Sequence, residues 1–295
     1  MDIADLKIFE TVARLGGMNR AAAELNTVQS NVTARIRSIE DELGAALFER
    51  HARGVTLTGA GQRLLPYATR VRRLMDEARR AFSDAGTPKG SLLIGSLDTT
   101  AALRLSPHLS AYIEAHPEVD LALRTGTTCE LVKAVLGYEL EGAFVCGPVS
   151  HSDIEETLAF HEELVLLTAP HIRSVDELYR APELRIVVLR AGCSYRQRLE
   201  EILTRRGAMA FRVLEFGTIE AVIACAAAGL GITLLPKGMV EVAAQDHRIA
   251  VHELPQADAL AETVFIRRRD AFMSSALRAF LQSVCPPWPQ AQAAE

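Results

Sequence analysis

The stretch Asp84-Ala85-Gly86-Thr87-Pro88-Lys89-Gly90 divides the chain into two parts written in different periods. Its glycines and proline interrupt all regular patterning and mark a linker. Before it, apolar residues recur every three or four positions, the period of helices; after it, short apolar runs alternate with helical stretches, the pattern of strands buried between helices. A chain of 295 residues is also longer than one average domain, so a small helical unit followed by a larger α/β unit is the expected organisation.

The charge follows the same division. Through Lys89 there are 14 Lys+Arg against 11 Asp+Glu, and the remainder has 18 against 26, which together give the formal net charge of -5. Only the first part is suited to a polyanionic partner. No apolar run approaches the ~18 residues that a membrane span needs, and Met1 to Leu15 lacks the basic-then-apolar layout of a secretion signal, so no membrane association and a cytoplasmic location are expected. The cysteines at 129, 146, 193, 225 and 285 are odd in number and scattered, with no CxxC pair or interleaved histidines, which argues against a disulfide scaffold or a structural zinc site.

In the first part, Ile3, Leu6, Phe9, Val12 and Ala13 form the buried stripe of a helix stopped by Gly16-Gly17. A short alanine-rich helix, Asn19 to Leu25, is broken by Asn26-Thr27. A third helix then places Val28, Val32, Ile36, Ile39 and Leu43 on one stripe, with Gly44 as its stop. Its other faces carry Gln29, Ser30, Asn31, Thr33, Arg35, Arg37 and Ser38. Short amides and hydroxyls mixed with arginine suit a helix N-terminus in a DNA major groove; a polar solvent face is the simpler reading for an isolated helix.

The residues that follow favour the groove. Phe48 to Thr58 holds two short extended stretches around a basic Arg-Gly turn, a wing able to lie along a phosphate backbone. Thr58 is a suitable N-cap for a long helix to about Ser83, in which Leu64, Ala68, Val71, Met75, Ala78 and Phe82 form a heptad seam. Arginines 63, 70, 72, 73, 79 and 80 cover much of the rest. Little remains of the small unit for that seam to pack against, so self-association is expected.

The run from Leu6 to Pro66, including AAAELNTVQSNVTARIRSIEDELGAALFERHARGVTLTGAGQRLL, resembles the winged helix-turn-helix of LysR-type transcriptional regulators. The order of alanine-rich helix, turn, recognition helix, ELG..LFER, LT.AG and linker helix carries the resemblance, which extends more weakly beyond Lys89. It implies a mostly α winged helix-turn-helix DNA-binding domain over 1–58, a linker and dimerisation helix with hinge over 59–89, and an effector-binding domain over 90–295. That domain would be an α/β, two-lobed, periplasmic-binding-protein-like (type 2) fold, with lobe one at about 90–162 and 267–295 and lobe two at about 163–266. The resemblance also implies that Gln29, Ser30, Asn31, Thr33 and Arg35 lie at the groove, with Arg50 and Arg53 in the wing; Arg20 is a further expected DNA-binding residue. Many members have proline after the glutamine; here Ser30 stands there, which bears on base preference. The partners implied are an interrupted inverted repeat of promoter double-stranded DNA, a second copy of the chain through the linker helix, a homotetramer, RNA polymerase, and a small-molecule effector, with no other cofactor and no metal.

Beyond the linker, candidate strands are Ser91–Leu97, Val119–Arg124, Gly142–Cys146, Leu164–Thr168, Arg185–Leu189, Phe211–Glu215, Ile232–Leu235 and Thr263–Arg267. Candidate helices lie near Thr100–His116, Thr128–Tyr138, Ser194–Arg206, Thr218–Ala228 and Asp270–Ser283. At Ser96 to Thr100, Gly126 to Cys129, Gly192 to Ser194 and Gly217-Thr218, glycine or hydroxyl residues stand where a strand ends and a helix begins. Free N–H groups and the positive helix end stabilise anions there, although any one such junction is ordinarily just a cap. Ser96, Thr99, Thr100, Thr128, Ser194 and Thr218 are the expected effector contacts, Arg196 the expected counter-charge, and a small carboxylate or similar anion the expected ligand.

An enzyme is the first rival, and GxSxG, HExxH, Walker A and complete GxGxxG motifs are all missing from the sequence. A transport-type binding protein would match the second part but not the basic helix-turn-helix. A redox sensor would use Cys129 and Cys193, both at helix N-termini, where the dipole lowers a thiol pKa.

Overall fold

The structure, a computed structural model, describes residues 1–51, 54–179, 184–208 and 210–284. It forms two compact units: residues 1–85 with 137–139, and residues 86–136 with the chain from 140 onward.

In the first unit, Asp2 caps α1 (Ile3–Leu15) through a reciprocal box: its carboxylate accepts the Asp5 N–H at 2.8 Å and the Asp5 carboxylate accepts the Asp2 N–H at 2.9 Å. Gly16 ends the helix in the left-handed region at φ 64°. The small buried Ala21 and Ala22 of α2 (Met18–Glu24) admit α3 (Gln29–Leu43). Of the expected α3 stripe, Val32, Ile36 and Ile39 are fully buried against Phe9 and Val12. Val28 and Leu43 remain 65% and 44% exposed, because they stand at the N-cap and the last residue, past the ends of that core.

Strands β1 (Phe48–His51) and β2 (Gly54–Leu57) pair antiparallel, Phe48 opposite Leu57 and His51 opposite Gly54. Gly54 has φ 137°, and a Cβ there would lie 2.3 Å from the Gly16 carbonyl oxygen. The Val55 N–H donates to that same carbonyl at 3.1 Å, so the wing is docked on the α1–α2 turn by a contact only glycine permits. Thr58 caps α4 (Gly59–Ser83), accepting the Gly61 N–H at 3.1 Å. The expected heptad seam divides. Leu64, Ala68 and Val71 pack on the unit's own core, Met75 is half-buried, and Ala78 and Phe82 are exposed, Phe82 at 95%; Tyr67 and Leu74, outside the expected seam and seven residues apart, are exposed as well.

The second unit runs β3 (Gly90–Ser96), α5 (Asp98–Thr100), a π-turn over Ala101–Leu105, α6 (Ser106–Ala115), β4 (Val119–Thr125), α7 (Thr128–Leu136), β5 (Gly142–Cys146) and β6 (Ile154–Thr168). It continues with α8 (Asp176–Tyr179), β7 (Leu184–Leu189), α9 (Ser194–Arg205), β8 (Phe211–Phe216), α10 (Ile219–Ala227), β9 (Thr233–Pro236), α11 (Lys237–Gln245), β10 (Ala250–Glu253), α12 (Gln256–Ala259), β11 (Leu260–Arg268) and α13 (Ser275–Val284). Parallel β4, β3 and β5 adjoin β11, which pairs antiparallel with the first part of β6; this is lobe one. The end of β6 lies between antiparallel β9 and β10, and the parallel pair β7–β8 joins through a bridge between Ile186 and Ile232; this is lobe two. Alternate residues of β7 enter opposite cores, Ile186 and Val188 with Leu199 and Ile202, Val187 with Val222 and Leu235, as a strand covered on both faces requires.

The sequence expectations differ from this fold at identifiable places. The helix expected over Thr100–His116 begins at Asp98 and widens into the π-turn just before Pro107, whose missing N–H cannot continue an α ladder. The helix expected from Asp270 starts at Ser275, after Asp270 has turned back to bind Arg268 and Ser274 has taken the Leu277 N–H. The strand expected at Leu164 is the end of a 15-residue strand shared by both lobes. Strand β10 and helix α11 had no counterpart among the expected elements.

Candidate nucleic-acid interface and interlobe cleft

The polar end of α3 is where the first unit presents chemistry. Gln29, Ser30 and Asn31 are exposed, with Thr33 half-buried behind them. Gln29 donates to Thr33 Oγ1 at 3.2 Å and Asn31 to Thr27 Oγ1 at 3.0 Å, so both amides are held in the first turn. Val28, at the N-cap, has no side-chain oxygen to cap this turn, which leaves a positive helix end beside an exposed polar surface. Arg20, Gln29 and Arg50 line one open groove, joined by Asn19 and His51, two residues the sequence reading missed although each adjoins an expected one.

Arg35 is placed otherwise than a base reader would be. Its guanidinium donates to Asp5 at 2.6 Å and to Asp2 at 3.2 Å, and these hydrogen bonds, Asp5 first, raise its pKa. It therefore braces α3 against the capped start of α1, and reaching a base would leave the buried Asp5 carboxylate without its counter-charge. The expected wing residue Arg53 lies outside the described residues.

In the second unit the strand-to-helix junctions converge on one small, partly open cavity between the lobes, of about 40 Å³. Leu97, Asp98, Thr99, Gly126 and Thr127 line it from lobe one; Leu189, Arg190, Cys193, Ser194, Tyr195 and Gly217 line it from lobe two. Hydroxyls meet across it: Ser194 Oγ donates to Thr128 Oγ1 at 2.9 Å, and Thr99 Oγ1 lies 3.4 Å from Tyr195 Oη. Burial pushes the Tyr195 phenol well up, with the Thr99 hydrogen bond opposing, so it stays protonated.

The remaining expected residues stand behind these walls. Ser96 is fully buried and donates to the Leu97 carbonyl; Thr218 is exposed and caps α10 through the Ala221 N–H at 3.2 Å. Thr100 is 2% exposed, and its hydroxyl has no partner among the described residues. Arg196 binds Glu200 at 3.0 Å and Glu215 at 2.7 Å, which satisfies it away from the cavity. The arginine on the lining is Arg190, 3.5 Å from Glu130. Glu130 in turn accepts the Thr127 N–H at 2.8 Å and its own N–H donates to Thr127 Oγ1, a capping box that closes the N-terminus of α7. These bonds, the Thr127 amide first and Arg190 after it, hold the Glu130 carboxyl below the usual range. The signal Thr127-Thr128-Cys129-Glu130 was legible in the sequence; Arg190 had none beyond its place after a strand.

The two units match two family models that together cover most of the chain. A model described as a bacterial regulatory helix-turn-helix protein of the lysR family covers residues 3–62, and one described as a LysR substrate binding domain covers residues 85–285. This chain belongs to the LysR family of transcriptional regulators. Among curated relatives, the uncharacterized HTH-type transcriptional regulator YusT of Bacillus subtilis is 46% identical over 286 residues, 97% of this chain and 96% of that protein. The HTH-type transcriptional regulator GltR of the same species is 41% identical, over 95% of each chain. Among solved structures, ArgP of Mycobacterium tuberculosis superposes with a TM-score of 0.69 at 18% identity, covering 99% of this chain and all of that one. Full-length CbnR complexed with its target DNA gives 0.65 at 24%, covering 96% of this chain and 98% of that one. Both share the fold.

As a LysR-type regulator the chain is a DNA-binding protein with a helix-turn-helix and an effector-binding domain, not an enzyme. Among the described residues no helix is long and apolar enough to cross a membrane, and no cluster of His, Cys, Asp or Glu has the arrangement of a metal site. Cys129 is exposed, whereas burial, the leading cause in each case, raises the thiol pKa of Cys146 and of Cys193.

Proposed function

We propose that this regulator reads an interrupted inverted repeat in promoter DNA as a dimer paired through α4, assembling further into a tetramer, and that a small molecule in the interlobe cleft sets its arrangement. The observation that carries the reading is the exposed first turn of α3, opening with Arg20 and Arg50 onto one groove. Gln29, Ser30 and Asn31 supply donors and acceptors for base edges, Thr33 supports Gln29, and Arg20 and Arg50 supply charge for phosphates. The exposed side of α4 bearing Tyr67, Leu74 and Phe82 supports pairing, and two-fold symmetry in the protein demands the same symmetry in the site. A regulator so placed contacts RNA polymerase when it activates.

The effector carries a carboxylate or similar anion, held by Arg190, Ser194 and the N-terminal end of α9, with Thr99 and Thr128 as further hydroxyl contacts. Its effect on DNA follows from preferring one interlobe angle over another. Footprinting of genomic fragments captured by the full chain tests the reading. Protection at two half-sites separated by about one or more helical turns of ~10 base pairs is expected; binding without sequence preference, or with one protected half-site only, overturns it.

A further inference from the structure

The two walls of the cleft carry opposite charge, and this bears on the effector whose existence was proposed above. On the lobe-one wall Asp98 is exposed at the start of α5, lines the cavity, and its carboxylate has no hydrogen-bond or ion-pair partner among the described residues. On the lobe-two wall Arg190, Ser194 and the start of α9 present donors. The facing N-terminus, that of α7, is already occupied by the carboxylate of Glu130, and the same carboxylate partly neutralises Arg190. The one charge on the lining without a counter-ion is therefore negative.

A simple anion leaves Asp98 unmatched and brings a like charge into a site from which water is being excluded, where repulsion grows as the dielectric falls. A simple cation leaves the donors of Arg190 and Ser194 unmatched. A molecule with one pole of each sign satisfies both walls at once, and only such a molecule gains from both lobes as they approach, which gives it the differential affinity that switching requires. We infer that the effector is a small amphoteric molecule, a carboxylate or similar acid that also carries a protonated amine, with the acid group at Arg190 and Ser194 and the ammonium at Asp98.

This inference rests on the cleft being the effector site, and the test separates the two. Full-length protein is titrated calorimetrically with the twenty standard amino acids, with the N-acetyl derivative of each, and with acetate, succinate and benzoate. At least one free amino acid binds, acetylation of its amine weakens it tenfold or more, and Asp98→Asn weakens the free form equally while leaving the acetylated form unchanged. The Asp98 side chain makes no hydrogen bond or ion pair among the described residues, so this variant folds as the parent does. Equal binding of free and acetylated forms, or unchanged affinity in Asp98→Asn, overturns the inference. Binding of the simple carboxylates alone overturns it too, yet leaves the effector reading standing. If no compound of any set binds, both fail.

Discussion

Gly54→Ala should undock the wing. At φ 137° an L-residue is strained by roughly 1–3 kcal/mol. Its Cβ would also stand 2.3 Å from the Gly16 carbonyl oxygen, which has no flexible end to swing aside, so the two segments must separate by about 1 Å to restore ordinary contact. That separation breaks the 3.1 Å bond from the Val55 N–H to Gly16, a further loss of about 0.5–1.5 kcal/mol. The total, roughly 2–4 kcal/mol, is a large fraction of a small unit's stability. Gly59→Ala is the control: the added Cβ meets only the end of Arg63 at 3.7 Å, and alanine is the better helix former. Hydrogen exchange at Val55 and denaturant unfolding of the full chain read the effect, and gel shifts on specific and non-specific DNA read its consequence. Fast Val55 exchange, an earlier unfolding transition for the first unit, and weaker binding to both DNAs are expected of Gly54→Ala alone. Unchanged Val55 protection in that variant would refute the docking argument.

The exposed side of α4 gives a second prediction: Leu74→Asp with Phe82→Asp leaves helix content unchanged and lowers the mass by light scattering to half that of the parent assembly, with unchanged mass ruling out pairing through this side. Tyr112 gives a pH dependence. Its phenol, which donates to the Ala276 carbonyl at 2.8 Å, is pushed up to about 12, first by burial and then by the Glu141 charge. The folded pKa lies above the unfolded value of ~10, so this stabilisation is complete below pH ~10 and is lost as pH rises towards 12; Tyr112→Phe should flatten melting temperature over that interval, and an unaltered profile would contradict it. The cysteines give a fourth: at mildly alkaline pH iodoacetamide labels exposed Cys129 at least about tenfold faster than Cys146 or Cys193, whose thiols burial pushes up, and equal rates by mass spectrometry would count against the packing described.

The first unit was legible in the sequence because its helices are amphipathic and bounded by glycines, Gly16 and Gly44, that adopt the left-handed conformation a stop requires. The second was less so. The first ten residues of β6, Ile154 to Glu163, are mostly polar and pair with β11 alone, so they showed neither the apolar run nor the clean alternation that announces a strand. The junctions that form the cleft were visible as glycine and hydroxyl residues, but which of them face the cavity is decided by tertiary packing. Thr99 and Ser194 face it, while Ser96 and Thr218 turn away. Charge pairing was invisible altogether. Arg35 and Arg196 have the composition of a binding residue, and only their carboxylate neighbours, from thirty residues away for Asp5 and nineteen for Glu215, reveal what holds them.

Selection of double-stranded DNA from a random pool, followed by affinity measurement on the selected sequence and on a scrambled one, bears most directly on α3 as the reading element. For Gln29→Ala, whose side chain is exposed and bonds only Thr33, thermal unfolding should match the parent and scrambled DNA should bind as before. The selected sequence should lose about 1–3 kcal/mol, tenfold or more, confined to one base-pair position in each half-site. Undiminished preference for the selected sequence after alanine replaces Gln29, Ser30 and Asn31 together would show that this turn does not read DNA.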